Sequence, residues 1–222
     1  MKKIIICFLL VFTGFYTQTM AQSTPSAGEI DPRAEKLLKK SSEEYSSFNS
    51  MKADFTMKVE NRESKVVKSN QGTLWIKGKK FKFKFGAITV YGNETTLWTY
   101  NKGIDEVQIT DYDPQTGQIT PTSIFSDFYN KDFLYRLKDN ESTEKSAVIG
   151  MTPRDKSKPY FKIVVWLNKE SHHIEKMKIF NKNGFRYLYH IDSFVPDFEV
   201  DPSKFTFSKE NYPGVSVQDL RL

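Results

Sequence analysis

Cysteine is nearly absent: the 222 residues contain one, Cys7, inside an apolar stretch at the extreme N-terminus. Beyond that stretch the chain has no disulfide, no thiol nucleophile and no zinc–thiolate site, so its core alone must hold it together. Histidine is scarce as well, occurring only at His172, His173 and His190. His172 and His173 are neighbours at the start of a strand and so point to opposite faces. With only Glu170, Glu175 and Asp192 near them, no metal site is expected. The G-x-S-x-G, H-E-x-x-H, G-x-x-x-x-G-K-[ST] and G-x-G-x-x-G patterns are all missing. Nothing marks any two of the 27 acidic residues as a hydrolytic pair. The apolar run at the N-terminus falls short of the roughly 20 residues a membrane helix needs. These absences argue against an enzyme and against a cofactor.

Lys2 and Lys3, the apolar run Ile4 to Phe15, and Thr19-Met20-Ala21 form an export signal with cleavage expected before Gln22. Cys7 lies too early to become a lipid-modified cysteine after such a cut. Residues 1–21 therefore read as a signal peptide, 22–30 as a flexible leader, and 31–222 as one domain. A domain of that length buries roughly 70% of its unfolded surface, enough for a core without staples. Loss of Lys2 and Lys3 lowers the formal charge from +6 to +4. Without clustered basic helices or a nucleic-acid motif, so mild an excess points to no nucleic-acid partner.

Aromatic residues are plentiful, at 14% with 18 phenylalanines, and so many rings need a large apolar surface. The centre of the chain is Gly72 to Tyr100. Within it Lys80-Phe81-Lys82-Phe83-Lys84-Phe85 places rings on one face of a strand and ammonium groups on the other. Gly78-Lys79 and Gly92-Asn93 supply turns, so the stretch reads as an antiparallel meander with a greasy face and a charged one. A charged face outside and an ordinary core inside is one reading. An apolar face lining a cavity for long acyl chains, with the lysines solvating the outside, is another.

Around this meander the chain is mostly strands. Asp31-Pro32 opens a helix to about Ser47, with Leu37, Leu38, Tyr45 and Phe48 on one sparse face that suits a loosely held cover. Phe55, Met57 and Val59 alternate with polar residues as a first strand. Strands are expected at Glu106–Thr110, Phe133–Leu137, Ala147–Met151, Tyr160–Leu167, Ile174–Phe180 and, after the Asn183-Gly184 turn, Phe185–Ile191. Phe205-Thr206-Phe207 is the last expected strand. Asp111 to Gly117 has calcium-loop-like acid spacing, but its glycine is one place late and no glutamate stands at Thr122, so it reads as a turn. Pro121 to Asn130 reads as a short amphipathic helix. The fold class is α+β: a strongly curved antiparallel sheet of about ten to eleven strands, an incomplete β-barrel, with short helices over it. Two sparse helices give such a sheet little cover, so it must curl around itself, around a ligand, or around both.

Several segments, in order and spacing, resemble the periplasmic carriers of outer-membrane lipoproteins, the LolA family. They are Ser47-Phe48, Ala53-Asp54-Phe55-Thr56 with Lys58-Val59, Gly72-Thr73-Leu74-Trp75-Ile76-Lys77, and Gly92-Asn93-Glu94-Thr95-Thr96-Leu97-Trp98-Thr99-Tyr100 with Val107-Gln108. Thr120-Pro121 and the closing Lys204-Phe205-Thr206-Phe207 through Gly214-Val215-Ser216-Val217 complete the match. The resemblance implies a half-barrel with short helices as a lid over an apolar cavity. It implies a periplasmic, non-enzymatic, monomeric carrier that binds lipoprotein acyl chains. Such a carrier would be loaded by an inner-membrane ATP-driven exporter and unloaded at an outer-membrane acceptor. By position Phe55, Met57, Val59, Leu74, Ile76, Phe81 and Phe83 face inward. The same apolar parities add Phe85, Val90, Phe161, Ile163 and Val165 to the expected cavity. Ile124 and Phe125 match the lid, which Leu37, Leu38, Pro121 and Phe128 extend. One departure stands out: after the Leu-Trp-hydrophobic-Lys run the family has an arginine that closes the lid, and this chain has Gly78, with Lys79 and Lys80 the nearest cations. The other reading of the same half-barrel is a periplasmic regulatory module that senses lipid or lipoprotein.

Overall fold

The computed structural model describes residues 30–112 and 132–221. One helix, α1 (Pro32–Ser47), precedes strands β1 (Ser50–Glu60), β2 (Val66–Lys77), β3 (Lys80–Phe85), β4 (Ile88–Gly92), β5 (Thr96–Asn101) and β6 (Glu106–Asp111). After residue 132 come β7 (Phe133–Leu137), β8 (Ser146–Pro153), β9 (Tyr160–Asn168), β10 (Ile174–Asn181), β11 (Arg186–Pro196) and β12 (Ser216–Asp219). All twelve belong to one sheet, ordered β12-β6-β5-β4-β3-β2-β1-β11-β10-β9-β8-β7. The β12–β6 pair is parallel and the other pairs are antiparallel. Among the described residues neither end of the sheet has a further partner strand, and the two ends do not pair with each other, so the barrel is open.

The expected turns form as their chemistry requires. Gly78 takes φ +56° in the two-residue β2–β3 turn, and Gly184 takes φ +90° in the β10–β11 hairpin. Asn93 Oδ1 accepts the backbone N–H groups of Thr95 and Thr96, both at 2.8 Å, closing the β4–β5 turn. Three elements differ from expectation. Ile88–Gly92 is a strand in its own right, and the sheet gains its twelfth strand from the tail, where Ser216–Asp219 lies parallel to β6. Phe205 to Phe207 is not a strand. Asp201 accepts the Ser203 N–H at 2.8 Å with Pro202 at the first position, so a 3-10 turn forms at Pro202–Phe205.

One apolar cluster joins α1 to the concave face of the sheet. In α1 it uses Ala34, Leu38 and Tyr45, spaced as one helical stripe, while Leu37 is half-buried beside them. The helix is held firmly at both ends, contrary to the loosely held cover its sparse face suggested. At the N-terminus Asp31, 1% exposed, caps the helix and binds the Arg33 guanidinium at 2.9 Å; Arg33 reaches on to Asp139 at 3.1 Å. The Asp31 N–H also donates to the Tyr135 carbonyl of β7 at 2.9 Å. At the other end the buried Tyr45 hydroxyl accepts the Ile174 N–H at 2.8 Å.

Burial alone would raise the Asp31 pKa, but hydrogen bonds from Arg33 and the Leu137 N–H outweigh it and hold the carboxyl below its ordinary 3.8. A carboxyl depressed on folding stabilises the protein above its unfolded pKa, and that stabilisation is lost as pH falls through the folded value. Asp31→Ala is therefore expected to cost about 2 kcal/mol near neutral pH, read from the urea midpoint. The gap to wild type should shrink only below about pH 4. An equal gap at every pH would contradict this account of the cap.

Candidate functional site

The strand parities put an aromatic wall on the concave face where β11, β1, β2 and β3 meet. Phe55 lies nearly parallel to Phe83, with centroids 5.4 Å apart and planes 10° apart, and to Phe85 at 6.4 Å and 12°. Phe83 and Phe85 are 6.1 Å apart at 23°, and Tyr189 of β11 closes the group 6.1 Å from Phe55. Burial pushes the Tyr189 phenol up to about 12, so it stays neutral.

Two glycines make room for rings that lie over the strands. Gly72 pairs with Phe55 on one side and Phe85 on the other, and a Cβ there would sit 2.3 Å from the Phe55 ring and 2.7 Å from the Lys84 carbonyl oxygen. A Cβ on Gly92, paired with Phe81, would sit 2.2 Å from the Phe81 ring. Across the sheet the apolar surface runs from Tyr187, Tyr189 and Ile191 to Val90 and Leu97. Beyond it the register brings Thr99, Gln108 and Thr110 to the same face, giving the wall a polar border.

The expected cavity residues divide by depth. Phe55, Met57, Leu74, Ile76, Phe81, Ile163 and Val165 are buried in the cluster that α1 joins. Val59, Phe83, Phe85 and Val90 are only half-buried and form its open margin. Phe161 is a correction. It is 50% exposed and packs on Phe180 at 6.1 Å, on the outer face. The β9–β10 register skips Phe161, pairing Phe180 with Lys162 and Asn181 with Tyr160, so this bulge sends Tyr160 inward in its place. Pro121, Ile124, Phe125 and Phe128 lie outside the described residues. Leu38 is fully buried under the helix. Gly78 is at an exposed turn tip, where a Cβ would meet nothing within 4 Å. Tyr187 and Tyr189 share a strand face with Ile191, as their spacing indicates, but were not among the expected cavity residues.

No group of three or more metal-ligating side chains converges among the described residues. His173 stacks on Tyr45 at 5.6 Å and tilts against Phe194 at 4.7 Å, and burial lowers its pKa. His190 is on the other side of the sheet, 3.1 Å from Asp192. A polar hollow of about 490 Å³ on the outer face includes Asp54, but that carboxylate is already engaged by Thr73, Ser193 and Lys52.

An open, mostly antiparallel half-barrel, with a helix across part of its concave face and an aromatic wall across the rest, places the protein in the class of half-barrel β proteins with a helical cover. The chain belongs to the outer membrane lipoprotein carrier protein LolA family, whose model matches residues 46–208. Among solved structures it is similar to an uncharacterized conserved protein from Thermus thermophilus. That likeness has TM-score 0.55 and 10% identity, and covers 86% of this chain and 99% of that one. A LolA superfamily protein from Nitrosomonas europaea matches with TM-score 0.43 and 14% identity, over 78% of this chain and 97% of that one. LprF from Mycobacterium bovis matches with TM-score 0.44 and 12% identity, over 79% and 99%. Among curated proteins, none matches the sequence.

Proposed function

We propose that this protein is a periplasmic carrier that holds the acyl chains of lipoproteins against the Phe55–Phe83–Phe85–Tyr189 wall. It acts after removal of residues 1–21, as a monomer, and needs no cofactor. An inner-membrane ATP-driven exporter loads it and an outer-membrane acceptor unloads it. The supporting observation is that Phe83, Phe85 and Tyr189, packed around the buried Phe55 on the concave face, are only half-buried in a chain of this family.

The energetics favour a flexible apolar chain as cargo. Burial of about ten methylenes contributes about 8 kcal/mol without any directional contact. The stacked faces carry no charge to be desolvated, and the wall residues Phe55, Phe83, Phe85 and Tyr189 present flat surfaces on which a chain can slide. Such a site discriminates poorly between chain lengths and well against charged ligands, as a carrier of many lipoproteins requires.

Native mass spectrometry of the periplasmic protein, purified without detergent, tests the reading. Adducts with the masses of lipoprotein or free lipid are expected. A protein that is ligand-free, takes up no fluorescent acyl probe, and co-purifies with an inner-membrane partner would instead support the regulatory module.

A further inference from the structure

We propose that one end of the half-barrel is a peripheral docking surface for an anionic lipid bilayer. The three segments 60–68, 154–162 and 178–186 meet there. Arg186 donates to the Asn61 carbonyl and to Ser64 Oγ, Arg62 lies over Gly184, and the Lys182 N–H bonds the Pro159 carbonyl at 2.9 Å. The register agrees, since Glu60 pairs with both Val66 and Arg186, and Asn181 with Tyr160.

Two properties coincide at this rim. Within the three segments ten Lys and Arg side chains face three acids, Glu60, Glu63 and Asp155. That excess of seven exceeds the +6 of the whole chain, so the rest of the protein has no basic excess at all. The chain-wide balance hides this, which is why the sequence looked only mildly basic. Four of the eight large apolar side chains that are prominently exposed among the described residues also sit here: Val66 at 52%, Val67 at 57%, Phe161 at 50% and Phe185 at 40%. Around Phe180, against which Phe161 packs, stand Lys162, Lys178 and Arg186, each within 5.7 Å of the ring. Among the described residues only Lys178 of the three has a carboxylate partner, Glu60 at 2.6 Å.

Cations flanking exposed rings and valines match the chemistry of a phospholipid surface, where phosphates meet the charges and the interface receives the apolar tips. An acidic protein would satisfy the charges but leave the four apolar side chains unexplained. The concave wall runs up to this rim, because Val59 pairs with Tyr187 one rung below Glu60 and Arg186. Docking therefore points the wall's open end at the bilayer.

Co-sedimentation of the mature protein with vesicles tests this independently of cargo carriage. Binding is expected to vesicles of phosphatidylethanolamine with phosphatidylglycerol, weakening as salt rises, and to be absent with phosphatidylcholine alone. The triple variant Arg62→Glu, Lys156→Glu and Lys182→Glu should lose about 100-fold or more in partitioning while keeping its circular dichroism and acyl-probe uptake. Phe161→Ser with Phe185→Ser should weaken binding without changing its salt dependence. Equal binding to both vesicle types, no binding by wild type, or an unaffected triple variant overturns the proposal. So does rim-dependent self-association without vesicle binding, which would assign the surface to a second copy. If vesicles bind but wild type takes up no acyl probe, docking stands and the carrier reading falls.

Discussion

Phe83→Glu is expected to abolish uptake of a fluorescent acyl probe, lowering affinity by about 100-fold or more, while the protein remains folded. Phe83 stacks on both Phe55 and Phe85 at the half-buried margin of the wall. A carboxylate there must either stay hydrated, which wets the surface the chain covers, or be buried, which costs several kcal/mol. Both outcomes oppose binding. The folded state suffers less, because a half-buried position lets the carboxylate reach solvent when no ligand is bound; a loss of about 1–2 kcal/mol is expected. Phe161→Glu is the matched control. That ring lies on the outer face, so the same substitution should leave probe uptake unchanged. Titration of the probe by fluorescence, with urea melts of all three proteins, decides the matter. Equal uptake by Phe83→Glu and wild type would remove the wall from the binding site, and loss of uptake in Phe161→Glu would move the site to the other face.

The contrast between Phe83 and Phe161 shows where a period-two reading of sequence succeeds and where it stops. In β1, β2 and β3 alternation runs unbroken through the site, so Phe55, Leu74 and Phe81 point where parity placed them. In β9 one bulge resets the parity, and Phe161 cannot be separated from Ile163 and Val165 by pattern alone. Bulges depend on the partner strand's register, which no single segment encodes. Helix α1 was legible in its limits, since Asp31-Pro32 is a local signal. Its anchoring was not, because Asp139, Tyr135 and Ile174 are more than 90 residues away in sequence. The aromatic wall followed from composition and spacing, while the glycines that let its rings lie flat became meaningful only once Gly72 and Gly92 were seen opposite phenylalanines.

The lysine face of the central meander was expected to solvate the outside of the sheet; Lys80 and Lys84 are exposed, but Lys82 is half-buried and the same face is covered farther along. The chain after β11 crosses the convex side of β2 to β6. Phe207 lies 6.1 Å from Tyr91, Tyr212 lies 4.4 Å from Tyr100, and the Tyr91 and Tyr212 hydroxyls are 2.6 Å apart. Val215 joins Tyr100 and Val107 in a second apolar cluster. Lys82 sits over Tyr91 at 4.7 Å, and Lys204 over Trp75 at the same distance. Burial, together with the nearby Lys204 and Lys84 charges, lowers the Lys82 pKa. The sheet is thus braced from opposite sides in its two halves. Helix α1 fills the concave face toward β7 and β10, whereas toward β3 to β6 the strap braces the convex face. The second brace supplies packing that an open concave wall cannot. With Phe83 and Phe85 only half-buried on the concave side, that half would otherwise have a thinner core.

This arrangement makes Phe205 the most costly single truncation in the strap. Its side chain is 0% exposed, in a 3-10 turn that packs against β3. Phe205→Ala is expected to destabilise the protein by about 3–5 kcal/mol, the usual cost of emptying a fully buried ring site. Against a total stability of about 5–15 kcal/mol, that is a large fraction. The urea midpoint should fall accordingly, and the Lys82 pKa should rise toward its ordinary value as water reaches the strap. Acyl-probe affinity, measured well below the lowered midpoint, should be nearly unchanged, because the strap and the wall lie on opposite faces of β3. A loss under about 1 kcal/mol would show that the strap is not a brace. A parallel loss of stability and probe affinity would show that the two faces are coupled through the strand, and that the wall is not independently held.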